Sequence, residues 1–324
     1  MTKYVVSGYI GFDNFGDEAI CGVLTSYLKN IGAEKVSVLS ANPEKTSKLY
    51  GVDSAHMLKF FKPIIESDVL ISGGGSLLQD ITSLKSLIYY IAIIATAIAF
   101  GKKVYIFAQG FTPFRTKFGE LLTKFVLKYC EKISVRDLKS RELLKNMGIE
   151  SELVADPVYG VQIIPSEHNG IGVQLRNFEG LNDDFLEGLA NAIAKNFSGQ
   201  KIKLFSLQDS VDLAVIDKFA GILASKELIT EIYKNTSVAE TIKEITSLEY
   251  IISMRFHSDL IALKAGVKVL GINYDVKVKT LSEEVGFPII NMYGCEADSG
   301  VKALMESSAE AYKIPEFDMK KALF

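Results

Sequence analysis

Cysteine, histidine and net charge are all scarce in this chain, and each scarcity removes a class of protein. Only three cysteines occur in 324 residues, Cys21, Cys130 and Cys295, and no two stand at a metal-ligand spacing. An odd, sparse set fits a reducing compartment and excludes a disulfide framework, so three partly buried thiols are expected. The three histidines, His56, His168 and His257, cannot join the cysteines in a zinc cluster at a recognised spacing, and no metal is expected. A formal charge of only -3 gives no global attraction to nucleic acid. No nucleic-acid partner is expected, and a charged ligand must be met by individual residues.

Long apolar runs are missing too. The longest, residues 87–100, carries no charge but falls below the ~20 residues that span a bilayer. It reads as a buried helix, and the lysines around it (Lys85, Lys102 and Lys103) leave peripheral membrane contact as the alternative. The opening Met1-Thr2-Lys3-Tyr4-Val5-Val6 lacks the basic start, apolar stretch and cleavage site of a signal peptide. A cytoplasmic location is expected, with the inner face of the membrane as its variant. Short repeats and low-complexity tracts are absent as well.

What is present is the composition of a globular protein, 48% apolar and 23% charged, at a length suited to two domains. Strand-like runs at 3–8, 36–39, 69–72, 103–108 and 132–135 alternate with helical patterns at 18–31, 55–65, 87–100, 116–129 and 138–147. Such alternation with short loops predicts crossover connections and a parallel sheet covered on both faces. The rhythm breaks around Ala155-Asp156-Pro157. A second set follows, with strands at 170–175, 202–206, 229–232, 250–253 and 268–271 and helices at 183–197, 210–223, 238–247 and 258–265. The expected fold class is α/β, two doubly wound parallel-sheet domains facing across a cleft, residues 1–162 and 163–324. The helical piece at 300–312 is expected to pack back across the junction. Such domains take ligands at the carboxyl ends of their strands.

The informative residues do stand just after strands. Past the first strand, Gly8, Gly11 and Gly16 let backbone amides approach a ligand at a helix N-terminus. Their spacing is not the dinucleotide fingerprint. Asp13 and Asp17 in the same stretch would repel a phosphate but suit sugar hydroxyls or a base role, with Gly11 and Asn14 beside them. The plain alternative is a turn with Asp17 as the helix cap. Gly73, Gly74 and Gly75 give more backbone freedom than a turn needs unless something passes close, either a ligand or another chain segment. Gln109 and Thr112 can hydrogen-bond a sugar beside Phe111 or Phe114, or form a structural loop. Arg136 ends a strand, where its planar fork can take a carboxylate or phosphate, or pair with Asp137 or another acid.

Arg176 holds the equivalent place in the second half. In Arg255, Phe256 and His257 a cation, a titratable group and a helix dipole converge, surroundings that His56 and His168 lack. Lys277 and Lys279 either complete an anion pocket or are solvated surface charge.

Several of these runs, in this order, resemble the polysaccharide pyruvyl transferase family, most nearly its CsaB-type cell-wall members. They are the stretch from Gly8 to Ala19, Ile71 through Gly73-Gly74-Gly75 to Asp80, Ala108-Gln109-Gly110, Val135-Arg136-Asp137, Ala155-Asp156-Pro157, Met254-Arg255-Phe256-His257, and Gly271 to Lys277. The resemblance implies a glycosyltransferase B-like fold with phosphoenolpyruvate as donor and a saccharide as acceptor. The product would be a pyruvyl ketal with free phosphate, and no cofactor is implied. In the CsaB-type members the acceptor is a lipid-linked precursor of a secondary cell-wall polymer, and the product anchors surface-layer proteins. Arg136, Arg255 and His257 match the family's donor-binding arginines and its Arg-x-His element, where Phe256 would contribute mainly backbone. On this reading His257 is the acid and Asp13 or Asp17 the base. The rivals are a sugar-nucleotide-dependent glycosyltransferase and a non-catalytic saccharide-binding protein.

Overall fold

A computed structural model describes residues 1–235, 237–292 and 296–324. Cys295 therefore lies outside the described residues. Cys21 is buried and Cys130 half-buried, both as free thiols. The chain divides into two compact units, Met1–Val161 with Glu316–Phe324, and Gln162–Pro315.

The first unit begins β1 (Lys3–Ser7), α1 (Phe15–Asn30), β2 (Lys35–Ser40), α2 (Pro43–Tyr50) and β3 (Asp53–His56). It continues α3 (Phe61–Ile65), β4 (Val69–Ser72), α4 (Leu84–Ala99) and β5 (Lys103–Gln109). The last crossovers are α5 (Lys117–Leu127), β6 (Lys132–Val135), α6 (Leu138–Asn146) and β7 (Glu152–Leu153). The second unit holds β8 (Ile171–Gln174), α7 (Asp183–Asn196), β9 (Ile202–Phe205), α8 (Asp209–Ala224) and β10 (Thr230–Tyr233). After these come α9 (Val238–Thr246), β11 (Tyr250–Ser253), α10 (Phe256–Ala265), β12 (Lys268–Asn273), α11 (Val276–Val285), β13 (Ile289–Asn291) and α12 (Ala297–Glu306). A final helix, α13 (Met319–Leu323), returns to the first unit.

Both sheets are parallel, in the orders β3-β2-β1-β4-β5-β6-β7 and β10-β9-β8-β11-β12-β13. The central strands are apolar runs because both faces are covered. Val69, Leu70 and Ile71 of β4 are buried, as are Ile251 and Ile252 of β11. In each sheet the chain order reverses once, at β1/β4 and at β8/β11. Such a reversal opens a crevice at the carboxyl ends of the two strands. The candidate segments after β1, β4, β8 and β11 all border one of these two points.

Local chemistry explains the boundaries that the sequence pattern missed. Helix α1 starts at Phe15, not Glu18, because Asn14 caps it by accepting from the Gly16 and Asp17 amides. Asp17 lies inside the first turn, where its charge suits the helix dipole. Gly32, in the left-handed region, closes the other end. The segment at 55–65, expected as one helix, is β3 followed by short helical turns, with His56 accepting from the Leu58 amide. Helix α2 was hidden by its polar composition, but Asn42 and Pro43 define its start.

The piece expected to cross the junction at 300–312 stays in its own unit. Val301 and Leu304 of α12 sit in the second unit's core, against α7 and β12. It is α13 that reaches the first sheet, where the Ser134 hydroxyl donates to the Ala322 carbonyl at 2.7 Å. Among the described residues no helix is long and apolar enough to cross a membrane.

Candidate functional site

In the first unit, the loop after β1 is held by a buried carboxyl. Glu18 accepts from the Gly11 amide at 2.7 Å and from the Tyr50 hydroxyl. Burial raises its pKa, opposed by the hydrogen bonds from Tyr50 and Gly11. Gly11 has a φ of 83°, and a Cβ there would lie 2.2 Å from the Ser40 hydroxyl. Its glycine thus serves backbone packing, and its amide is committed to Glu18 rather than to a ligand. Asn14 is committed to capping α1. Asp13 is exposed and ion-pairs with Lys45 at 2.6 Å. Asp17 reaches across the reversal point, with an oxygen 2.8 Å from where a Cβ on Gly75 would stand. Tyr9 and Phe12 stack at 4.2 Å in the same loop, an apolar platform of the kind sugars favour.

The glycine triplet resolves toward close packing. All three residues are buried; the Gly73 amide donates to the Ser7 carbonyl, and the Gly110 amide to that of Gly75. A side chain on Gly74 would press on Ile20. Gln109, expected to face a sugar, is fully buried, its amide group donating to the Ser72 hydroxyl at 2.8 Å. It ties β5 to β4. Arg136 is also committed: its side chain is 5% exposed and pairs with buried Asp156 at 2.7 Å. A longer contact reaches Ser76. Of the two acid pairings the sequence left open, Asp137 or another acid, the close one is with another acid, Asp156, while Asp137 lies 4.0 Å away and caps α6.

In the second unit, residues at the β8/β11 reversal form a cationic cluster. Arg255 precedes α10, whose first turn has no side-chain cap. Its guanidinium pairs with fully buried Asp212 at 2.6 Å, and its Nε is buried without a hydrogen-bond partner. Gln174 accepts from the Arg255 amide, and Asp212 also accepts from the Leu207 and Gln208 amides. Arg176, half-buried, lies 5.9 Å from the centre of the Tyr274 ring and makes no ion pair among the described residues. Burial raises the Tyr274 pKa, while the nearby Arg176 and Arg255 charges oppose the rise. His257 follows at the start of α10, half-buried, with the Phe256 ring edge-on at 5.3 Å.

The two lysines do not act together. Asp275 caps α11, so Lys277 and Lys279 stand two residues apart on one helix and face different directions. Lys277 is half-buried and Lys279 exposed.

Sequence reasoning missed Glu18, Tyr50, Asp212 and Tyr274. Tyr274 carried a usable signal, its place directly after β12. Asp212 carried none, because it meets Arg255 from 43 positions away. Also unanticipated is Asp259 on α10, fully buried, with neither carboxyl oxygen hydrogen-bonded. Burial lifts its pKa well above the usual carboxylate value, opposed by nearby Ser253, whose hydroxyl is engaged with Ser258. Among the described residues no group of three or more His, Cys, Asp or Glu is gathered as a metal would need.

Solved structures similar to the chain show its fold. A UDP-GlcNAc 2-epimerase of Methanocaldococcus jannaschii superposes with TM-score 0.69 at 11% identity, over 99% of this chain and 96% of that one. MnaA of S. aureus, in complex with UDP, gives 0.71 at 11% identity, over 99% and 94%. MurG of Acinetobacter baumannii gives 0.58 at 13%, over 98% and 96%. The fold is thus α/β with two parallel sheets, of the glycosyltransferase B type. No curated protein matches the chain in sequence. Residues 14–276 do match the sequence profile described as polysaccharide pyruvyl transferase, which takes in β4, β8 and β11 with the segments that follow them, while β1 and Asp13 precede it. The chain belongs to the polysaccharide pyruvyl transferase family.

Proposed function

We propose that this transferase moves pyruvate from phosphoenolpyruvate to a saccharide, forming a pyruvyl ketal and releasing phosphate. The observation that carries the reading is Arg176 and Arg255 standing near Tyr274, with His257 two residues past Arg255 at the start of α10. Phosphoenolpyruvate is small and close to trianionic, so fixed donors must replace its hydration. Arg255 is pre-oriented by Asp212, and Arg176 brings a cation that no described carboxylate neutralises. The uncapped amides of α10 add donors to the same end of the sheet.

In the proposed step, His257 protonates the methylene carbon, and positive charge develops at C2. A saccharide hydroxyl attacks C2 and gives up its proton, for which Asp13 or Asp17 is the base. The C2–O bond to phosphate breaks, and a second hydroxyl closes the ketal. Two hydroxyl protons are lost in all, one balancing the new methyl group and one the departing phosphate. The chemistry draws on no cofactor.

The acceptor we propose is a lipid-linked precursor of a secondary cell-wall polymer, met by the enzyme in peripheral contact with the inner membrane face. The stacked Tyr9 and Phe12 rings and the carboxylates Asp13 and Asp17 of the first unit suit a neutral sugar. The deciding assay is phosphate release with phosphoenolpyruvate and an N-acetylmannosamine-containing acceptor. Release is expected only when both are present, and His257→Ala should lower it on the order of 10²-fold or more. Undiminished release in that variant removes His257 from the mechanism. The rival reading, a sugar-nucleotide-dependent glycosyltransferase, draws on the UDP named for two structural neighbours of the same fold. A thermal shift with UDP-sugars and none with phosphoenolpyruvate would favour it.

A further inference from the structure

We infer that the outer face of α3, α4 and α5 in the first unit is a docking surface for an anionic lipid bilayer. These helices pack side by side over one face of the sheet, burying Ile64, Ile91, Ile94, Val126 and Leu127 beneath them. Their opposite sides remain apolar. On α5 and just past its end, Phe118, Leu121, Phe125 and Tyr129 are 55%, 65%, 60% and 58% exposed. At 3.6 residues per turn, these four fall within an arc of about 80°. Phe125 and Tyr129 meet edge to face at 5.3 Å, so the stripe is continuous at that end.

Leu84 and Ile88 continue the surface on α4, and Phe61 and Ile65 on α3, all exposed. The second unit behaves differently: Val276 and Met305 are its exposed large apolar residues on described helices, one on α11 and one on α12. Single exposures of that kind are normal, whereas a contiguous apolar face marks an interface.

Charge decides the partner. Lys117, Lys124 and Lys128 occupy one flank of the α5 stripe, within an arc of about 40°. Exposed Lys62 and Lys85 stand on α3 and α4. The acids nearby are Glu120 and Glu66, and Glu66 already pairs with Lys35 and Lys62. An apolar, aromatic stripe with a lysine flank matches the acyl boundary and phosphate layer of a bilayer. A second copy of the chain would instead bring the lysines of both copies into one interface. The inference deepens the proposed function in one respect, since a lipid-linked acceptor requires the enzyme to work at a bilayer.

The test is co-sedimentation of the full chain with phosphatidylglycerol/phosphatidylcholine vesicles and with phosphatidylcholine vesicles alone. Binding is expected to the first, to weaken with salt, and to be far lower on the second. Phe118→Ser/Leu121→Ser/Phe125→Ser should abolish it. Lys117→Gln/Lys124→Gln/Lys128→Gln should lower partitioning on the order of 10²-fold. Both variants replace exposed groups, apart from half-buried Lys124, and should keep the wild-type Tm and its shift with phosphoenolpyruvate. That shift reports the proposed activity separately, so its absence counts against the donor assignment and not against this surface. Failure of the wild type to bind anionic vesicles overturns the inference, as does undiminished binding by the serine variant. A dimer that the serine variant converts to monomer in light scattering also overturns it, by giving the face to a second copy.

Discussion

Each unit ends a strand with an arginine locked to a buried aspartate, Arg136 to Asp156 after β6 and Arg255 to Asp212 after β11. The pairs are alike in distance and burial, yet the second has an arginine beside it, Arg176, that makes no ion pair among the described residues. Near the carboxyl ends of the first sheet stand Asp13, Asp17, Glu18 and Asp137, with Lys45 the cation paired to Asp13. At the second reversal, Arg176 lies against Tyr274, while Asp212 is engaged by Arg255, Asp275 caps α11 and Asp209 accepts from Ser206. A locked arginine therefore identifies neither site. On the proposed function, it is the charge left over after pairing that would separate a place for an anion from a place for a neutral sugar.

The largest expected effect breaks the shared feature. Asp212→Ala and Asp156→Ala should each cost about 3–5 kcal/mol in chemical denaturation, because each strands a buried guanidinium. A cost in one unit alone would end the equivalence of the two pairs.

Exchanging the arginines sharpens the difference. Arg176→Gln should raise the KM for phosphoenolpyruvate roughly 10- to 10²-fold with little change in Tm, the worth of hydrogen bonds to a charged ligand. Arg136→Gln should instead lower Tm, since it leaves Asp156 buried without its cation. If Arg136→Gln behaves like Arg176→Gln, then Arg136 is a donor-binding residue after all.

The smallest effect concerns Asp259, a buried acid like Glu18 of the first unit but without the hydrogen bonds that Tyr50 and Gly11 give Glu18. Its folded pKa is raised by burial. Below the ordinary carboxylate value both folded and unfolded states hold the proton, and the group gives no pH dependence. Above that value the unfolded chain loses the proton while the folded chain keeps it, so stability falls as pH rises, until the folded group ionises too. Asp259→Asn should therefore be the more stable form at higher pH, by a gap that widens no faster than ~1.4 kcal/mol per pH unit. Thermal melts from pH 5 to pH 8 check the sign; a gap that narrows with rising pH contradicts it.

Periodicity and turn chemistry carried most of the fold. Runs such as Val69-Leu70-Ile71 show burial on both faces, and the break after Ala155-Asp156-Pro157 shows a second alternating set. Elements defined by caps were poorly legible. Pro43–Tyr50 is too polar to display a helical apolar stripe, and its start depends on one Asn42 side chain. The candidate site was legible as a set of places, because glycine, arginine and histidine after strands are visible in one dimension. Their commitments were not. Asp156 meets Arg136 from 20 positions away and Gln109 meets Ser72 from 37, and no local pattern records such pairings. For Lys277 and Lys279 the geometry was available, since residues two apart on a helix cannot share a face.

The central claim is that the second unit, through Arg176 and its neighbours, receives the trianionic donor. Calorimetric titration of phosphoenolpyruvate into the full chain tests it most directly, with Arg176→Gln and Asp17→Asn as the compared variants. The account predicts at least ~10-fold weaker binding for Arg176→Gln, and unchanged or slightly tighter binding for Asp17→Asn. Wild-type affinity in Arg176→Gln together with lost affinity in Asp17→Asn would contradict it.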